Sequence, residues 1–254
     1  MISKNKFKYL KSLKIKKYRT QAKQILIEGR RLIAEAIKSG ARIDLICCTE
    51  QFISNLDNKQ FLLMVKNKNI PIEEISNLNM DELSESVTNQ GLIGLANINI
   101  SNDEDRLTYP NQLILDSISN PGNLGNIIRT LDWFGIDKLY LSHNCTDIYN
   151  SKVIRSAMGA HFYIDIIQID ILEHIAYLKQ NNFSIIAADI EGESIYDWNF
   201  PEKWAIILGN EAHGISDKVR KLIDYKITVP KVGNVESLNV SMAAGIIVSH
   251  IKKI

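Results

Sequence analysis

Short apolar runs and stretches of helical spacing alternate along the first hundred residues. Phe7, Leu10, Leu13 or Lys14, and Tyr18 recur at helical intervals, and Gln24–Glu28 reads as a short strand. From Gly29 to Ser39 the residues Leu32, Ile33, Ala36 and Ile37 share one helix face, with Gly40 as the stop. Ile43–Cys48 predicts a second strand, Asn58–Asn67 a helix, Ile70–Ile75 a third strand and Gly91–Ile98 a fourth. Together they predict a compact α/β domain over residues 1–98. The stretch 99–111 is polar, acidic and contains Pro110, which marks it as a linker.

From Gln112 to Ile254 the rhythm becomes strand, loop, helix. The run QLILDSI leads into a Gly/Asn/Pro turn, a helix over Leu124–Phe134 and a strand at Lys138–Leu141. Further strands read at Phe162–Ile167, Phe183–Ala188, Trp204–Leu208 and Lys226–Val229, with helices between them. Strands alternating with helices imply βαβ units on a mainly parallel sheet, whose ligands bind beyond the C-terminal ends of the strands.

The 254 residues suit one large or two modest domains. Apolar residues at 45% and charged residues at 23% exclude disordered, collagenous and disulfide-scaffold classes. No apolar run approaches the ~18 residues of a membrane span, and the basic N-terminus lacks the apolar stretch of a secretory signal. The expectation is a soluble, cytoplasmic protein. Cys47 and Cys48 are adjacent and Cys145 is alone, giving neither a CxxC pair nor a disulfide framework, so they read as reduced, buried thiols. No His/Cys/carboxylate grouping has metal-ligand spacing. Charge changes the picture most. Residues 1–31 hold eleven Lys and Arg against Glu28 alone, a net +10 in a chain of net +1, which leaves the remainder at −9. Such segregation points to a polyanion partner, with Lys14, Lys16, Lys17, Arg19, Arg30 and Arg31 as candidate phosphate contacts. A solvated basic helix in a Lys-rich chain is the plainer alternative.

Three loops carry candidate chemistry. The first, Ser119 to Thr130, follows a strand and opens a helix; Asn123 can cap that helix and present its amide, and Arg129 projects about a turn and a half later. Alone it also reads as an ordinary helix start, and the GxGxxG fingerprint is absent. The second, Ala205 to Ile215, breaks a buried strand into a Gly-bounded loop with Glu211 at its mouth; Glu211 can instead cap a helix near Ser216, and His213 reads as a loop residue. The third, Val229 to Gly245, sets Ser237 and Asn239 where the last helix begins, and either can be its N-cap.

Taken together, N-x-G-x-x-x-R, L-G-N-E-x-x-G and V-E-S-L-N-V-S-x-A-x-G resemble the SpoU (TrmH) family of RNA ribose 2′-O-methyltransferases in order, spacing and placement over Gln112–Ile254. IEGRRLIAEAIKSG resembles the L30e-like RNA-binding domain that precedes the catalytic domain in many members. The resemblance implies a SPOUT fold, with a parallel sheet flanked by helices and a C-terminal trefoil knot. It implies S-adenosylmethionine as cofactor, held around Leu208, Gly209, Asn210, Val229 and Leu238, and a catalytic cluster of Asn123, Arg129, Glu211, Ser237 and Asn239. The family proposal makes the arginine the general base; a second role is a clamp on substrate phosphate that stabilises a developing alkoxide, because a guanidinium gives up its proton with difficulty. The domain arrangement favours 23S rRNA over tRNA, and a non-catalytic RNA-binding protein that kept the fold is the rival from another class. A homodimer is expected on two grounds. The resemblance implies one, and the last helix is apolar most of the way round: Val240, Ala243, Ala244, Ile247 and Ile251 line one face, and Leu238, Met242, Ile246 and Val248 cover much of the rest.

Overall fold

A computed structural model describes residues 1–98 and 107–253. The expected linker 99–111 therefore lies, over 99–106, outside the described residues. The backbone gathers into two compact units, Met1–Ile100 with Tyr149–Phe162, and Ser101–Ile148 with Tyr163–Ile254.

The first unit runs α1 (Lys4–Ser12), α2 (Lys16–Ala22), β1 (Gln24–Glu28), α3 (Arg30–Lys38), β2 (Ile43–Cys48), α4 (Glu50–Ser54), α5 (Lys59–Asn67), β3 (Ile72–Glu74), α6 (Asn77–Leu83) and β4 (Leu92–Asn97). Its sheet has the order β1-β4-β2-β3, antiparallel except for the parallel β2–β3 pair. Side chains alternate across a strand, so β2 sends Ile46 and Cys48 to a core with Leu32, Ile33, Phe61 and Val65 of α3 and α5. Leu45 and Cys47 point the other way, to Leu10 of α1 and Met80 and Leu83 of α6. The result is a sheet covered on both faces. At Gly94 the covering is tight: a Cβ there would lie 3.2 Å from Ile27 and 3.3 Å from Ile33.

The single helical stretch expected around Phe7–Tyr18 is two helices. Arg19 explains the break, since its Nη1 donates to the carbonyls of Leu13 (3.0 Å) and Lys14 (2.7 Å). Those are the groups a helix end leaves without partners.

The second unit contains β5 (Asn111–Leu115), α7 (Pro121–Trp133), β6 (Lys138–Ser142), β7 (Asp165–Ile169), α9 (Ile171–Gln180), β8 (Ser184–Ser194), β9 (Trp204–Leu208), α10 (Asp217–Arg220), β10 (Tyr225–Thr228) and α11 (Val240–Lys252). The intervening α8 (Ser151–Ala157) belongs to the first unit, where Ile154 joins the core beside α3 and α5. The sheet order is β10-β8-β9-β5-β6-β7 and every pairing is parallel. Strands β6 and β9 are buried from end to end, as a parallel sheet covered on both faces requires. The strand expected at Phe162–Ile167 begins only at Asp165, because Ala160–Phe162 forms a 3-10 turn.

Chain direction through this sheet places the ligand end. From β5 the strands proceed outward through β6 to β7, then resume on the other side with β8, β9 and β10. The order reverses beside β5, and ligands bind at such a switch point, beyond the carboxyl ends of the strands. Here those ends belong to β5 and β9, which pair from Asn111–Trp204 to Leu115–Leu208.

No helix among the described residues is long and apolar enough to cross a membrane. The three cysteines are buried and free. Burial, with Glu73 for Cys47 and the neighbouring thiol for Cys48, pushes both of those thiols up to about 12, so neither is a ready nucleophile.

Candidate functional site

Three loops converge at the switch point. After β5, Asp116 is 1% exposed; its Oδ2 accepts from the backbone N–H of Ser216 (2.9 Å), and its Oδ1 accepts from Ser117 Oγ (2.9 Å). Ser117 takes a left-handed φ of 61° and turns its carbonyl to accept from Asn210 Nδ2 at 2.7 Å. This carboxylate thereby ties the loop after β5 to the loop after β9.

The second loop is closed by a backbone bridge, with Asn210 N donating to Gly214 O (2.8 Å) and Gly214 N to Asn210 O (2.9 Å). Asn210 Oδ1 accepts from the N–H groups of Ala212 and His213. The fold leaves no room for a side chain at Gly209, whose Cβ would sit 2.3 Å from the Gly214 carbonyl carbon. The hairpin presents Glu211 on its outer side.

Asn120, not Asn123, caps α7: its Oδ1 accepts from Gly122 N (2.8 Å) and Asn123 N (3.3 Å), with Pro121 at the first helical position. That leaves the Asn123 side chain free for the site. Its Nδ2 donates to Glu211 Oε1 at 2.8 Å, and its Oδ1 accepts from Asn239 Nδ2 at 3.1 Å. Asn239 caps α11, accepting at Oδ1 from Ser241 N (2.9 Å) and Ser241 Oγ (2.7 Å). Ser119 Oγ adds a long contact of 3.4 Å to the other carboxylate oxygen of Glu211.

Burial raises the Glu211 pKa, but hydrogen bonds from the Asn123 amide and from the backbone N–H groups of Glu211, Asn120 and Ser119 outweigh it and hold the carboxyl below its ordinary value. The group is an anion at neutral pH and accepts only. This settles the amide orientations, because Asn123 must turn its NH₂ to Glu211 and therefore its oxygen to Asn239.

Of the five expected catalytic residues, the structure joins Asn123, Glu211 and Asn239. Arg129 lies on the exposed side of α7 and makes no hydrogen bond or ion pair among the described residues; Ser237 is exposed in the loop before α11, likewise without a hydrogen bond. Of the expected cofactor residues, Leu208 is buried at the end of β9, Gly209 and Asn210 form the hairpin base, Val229 follows β10, and Leu238 is 46% exposed. Asp116, Ser117, Ser119 and Asn120 were not singled out from the sequence. The sequence signals for them are their place just after an apolar strand and, for Asn120, the Pro121 that follows it.

The six basic residues expected to meet RNA divide in the first unit. Lys14 donates to the carbonyls of Glu82 and Ser84, Arg19 ends α1, and Arg30 donates to Asp57 O and Asn58 Oδ1. Lys16, Lys17 and Arg31 are exposed and carry no ion pair among the described residues. No group of three or more His, Cys, Asp or Glu able to hold a metal ion is found among the described residues.

Residues 110–249 match the SpoU rRNA Methylase family, and residues 4–94 match the MRM3-like substrate binding domain. The chain is 30% identical over 251 residues to the 23S rRNA (guanosine(2553)-2′-O)-methyltransferase RlmP of Bacillus subtilis, covering 97% of this chain and 96% of that protein. A putative RNA methyltransferase of the TrmH family from Porphyromonas gingivalis superposes with a TM-score of 0.83 at 28% identity, over 98% of both chains. The SpoU methyltransferase AviRb of Streptomyces viridochromogenes, solved with AdoMet, gives 0.83 at 23% identity over 99% of this chain and 98% of that one, a likeness of fold.

The depressed Glu211 carboxyl has a pH consequence. Its hydrogen bonds contribute stability that is complete above the ordinary carboxylate value and is lost as pH falls through the lower folded value. In an NMR titration the Asn123 side-chain amide signals should therefore move with a midpoint below that of a free glutamate. Glu211→Gln should abolish the movement, and a midpoint at or above the ordinary value would refute the arrangement.

Proposed function

The chain belongs to the SpoU rRNA methylase family, and from that premise we propose how its own residues carry out transfer of a methyl group from S-adenosylmethionine to a ribose 2′-hydroxyl of 23S rRNA. The observation that supports the reading is the hydrogen-bonded chain Asn239–Asn123–Glu211 at the switch point of the sheet. When bound, the cofactor supplies a methyl already activated on a sulfonium, which leaves this chain to hold the ribose and help one proton depart.

Leu208, Gly209, Asn210, Val229 and Leu238 fit an adenosyl group. They offer exposed apolar surface at Leu238 and a hairpin held rigid by the packing of Gly209 on Gly214, and no metal-binding set among the described residues. Asn123 has both ends of its amide fixed, so its remaining N–H and lone pair are aimed and can orient a ribose hydroxyl without reorganising. Ser237 and Asn239 complete the ribose contact from the third loop. Arg129 serves as a clamp rather than a base: its guanidinium, free of internal partners, takes a substrate phosphate through its planar fork and stabilises the oxygen as the 2′-proton passes to a phosphate oxygen or water.

Residues 1–98 serve as the RNA-recognition domain, 99–111 as the linker and 112–254 as the catalytic domain, apart from Tyr149–Phe162, which gather with the first unit. Within the first of these, phosphate contact falls to Lys16, Lys17 and Arg31, because Lys14, Arg19 and Arg30 are engaged internally. We further propose a cytoplasmic location, read by cell fractionation, and a knotted C-terminal segment, read by a crystallographic backbone trace through residues 205–253.

The second subunit follows from exposed apolar surface. Ile247 of α11 is 1% exposed within its own chain, whereas Leu238 (46%), Met242 (61%) and, on α7, Trp133 (84%) are open to solvent. Gly245 of α11 packs toward Thr130 of α7, so these helices adjoin. A twofold partner on this surface would bury on the order of 1,600 Å².

Three measurements test these assignments. Arg129→Ala should cut methyl transfer to rRNA about a hundredfold or more while cofactor affinity by calorimetry stays within about threefold, and Arg129→Lys should fail similarly; near-normal transfer by Arg129→Ala would remove the clamp. Reversing Lys16, Lys17 and Arg31 to Glu should reduce the salt dependence of rRNA binding by roughly two to three units of slope, at ~0.7–0.9 per phosphate. An unchanged slope would mean that the basic face is merely solvated. Light scattering should find twice the 28.8 kDa chain mass, and Met242→Glu should give folded monomers; a wild-type monomer at micromolar concentration rejects the dimer.

A further inference from the structure

We propose that the groove between α4, α5 and β3 docks a peptide segment of a partner protein, one that is apolar and carries acidic residues. Helix α5 is apolar on two sides. Phe61 and Val65 enter the core, while Leu62 and Leu63 point toward a groove of about 760 Å³. Around it lie Leu56, 84% exposed, Leu63 (51%), Ile53 (40%) and Ile72 (38%). Four large apolar side chains open to solvent around one concavity mark a binding surface, whereas singly scattered ones are ordinary.

Charge selects the occupant. Lys59 and Lys66, seven apart on α5, rim the groove; both are exposed, neither has an ion pair among the described residues, and no acidic residue lines the groove. Apolar anchors flanked by carboxylates match this surface. A second copy of the chain would set lysines against lysines across a twofold axis. RNA would find no aromatic side chain for base stacking and an apolar floor with little to offer phosphates.

The groove lies on the α3/α5 side of the sheet, and α1 packs on the opposite side. A peptide seated there leaves open Lys16 and Lys17 of α2, a helix that packs through Ala22 on the same side as α1. The domain can thus hold nucleic acid and protein together, as recognition of an RNA within a ribonucleoprotein particle demands; that last step rests on the reading of the chain as an rRNA enzyme, whereas the groove does not.

The test is a phage-displayed library of random twelve-residue peptides selected on the full chain, with enriched sequences resynthesised and titrated by fluorescence anisotropy. Enriched peptides should combine apolar residues with Asp or Glu; Leu63→Asp should raise Kd about tenfold or more, and joint Lys59→Glu, Lys66→Glu replacement several-fold, with melting unchanged. Leu56→Ser, at a largely solvated position, gives a second apolar variant should Leu63→Asp disturb folding. Peptides lacking acids, or affinities indifferent to these substitutions, overturn the proposal. So does loss of rRNA binding in the same variants, which assigns the groove to RNA, or a change in their light-scattering mass, which assigns it to a second copy. Methyl transfer to protein-free rRNA by Leu56→Ser should equal wild type, so failure of the enzymatic reading and failure of the groove are separable.

Discussion

A carboxylate accepts hydrogen bonds and donates none, and that one-sidedness organises the site. Glu211 admits only the NH₂ end of Asn123, which leaves only an oxygen for Asn239, which in turn can present only its own oxygen to Ser241. Every bond in the series points the same way, toward the anion, so each polarises the next. Three loops far apart in sequence are registered by this series of hydrogen bonds. The same anion would repel RNA phosphate if it were bare. Here its charge is spread over the Asn123 amide and nearby backbone N–H groups, the arrangement that also holds its pKa down.

Behind the site a second carboxylate does the supporting work. Asp116 lies almost wholly inside the protein and anchors Ser216 and Ser117, and Ser117 in turn fixes the side chain of Asn210 at the root of the Glu211 hairpin. A buried carboxylate is costly unless it is satisfied, and satisfaction here needs both loops in place. The tight fit of Gly209 against Gly214 has the same effect, since any drift of the hairpin meets backbone. Glu211 is thus positioned by a strand end, a glycine contact and a buried anion, although it is itself exposed.

What the sequence discloses depends on the range of the force involved. Trp204–Leu208 is legible to the residue because a strand buried on both faces must be a continuous apolar run, and Ile43–Cys48 is legible because only Asp44, near its start, interrupts one. The break between α1 and α2 was not, since it depends on a guanidinium folding back onto carbonyls; nor was α6, whose buried contacts are only Met80 and Leu83. In the site, the motif positions of Asn123, Glu211 and Asn239 were readable from the resemblance, and their mutual contacts were not. Asp116 and Ser216 meet across a hundred positions, and Asn123 and Asn239 across still more, so no local periodicity can carry the signal. Asn120 is hidden for the opposite reason: two asparagines three apart both suit a cap, and the choice rests on Pro121 occupying the first helical position.

Among the basic residues one test separates structural from functional use, namely whether the fold already consumes the donors. Arg19 and Arg30 give their fork to carbonyls, and Lys14 does likewise at the end of α6, so removing them would expose unsatisfied acceptors before it affected any ligand. Arg129, Lys16, Lys17 and Arg31 have no such engagement among the described residues. An exposed arginine on a helix whose first turn carries Asn123 is not accounted for by packing, and its five donors cost nothing to redirect toward a phosphate. The +10 head therefore overstates the charge available to RNA. The fold uses half of the six candidate contacts for itself, and the remaining three, with Arg129 in the other unit, are the cations left without internal partners among the described residues, as the phosphate contacts proposed for them require.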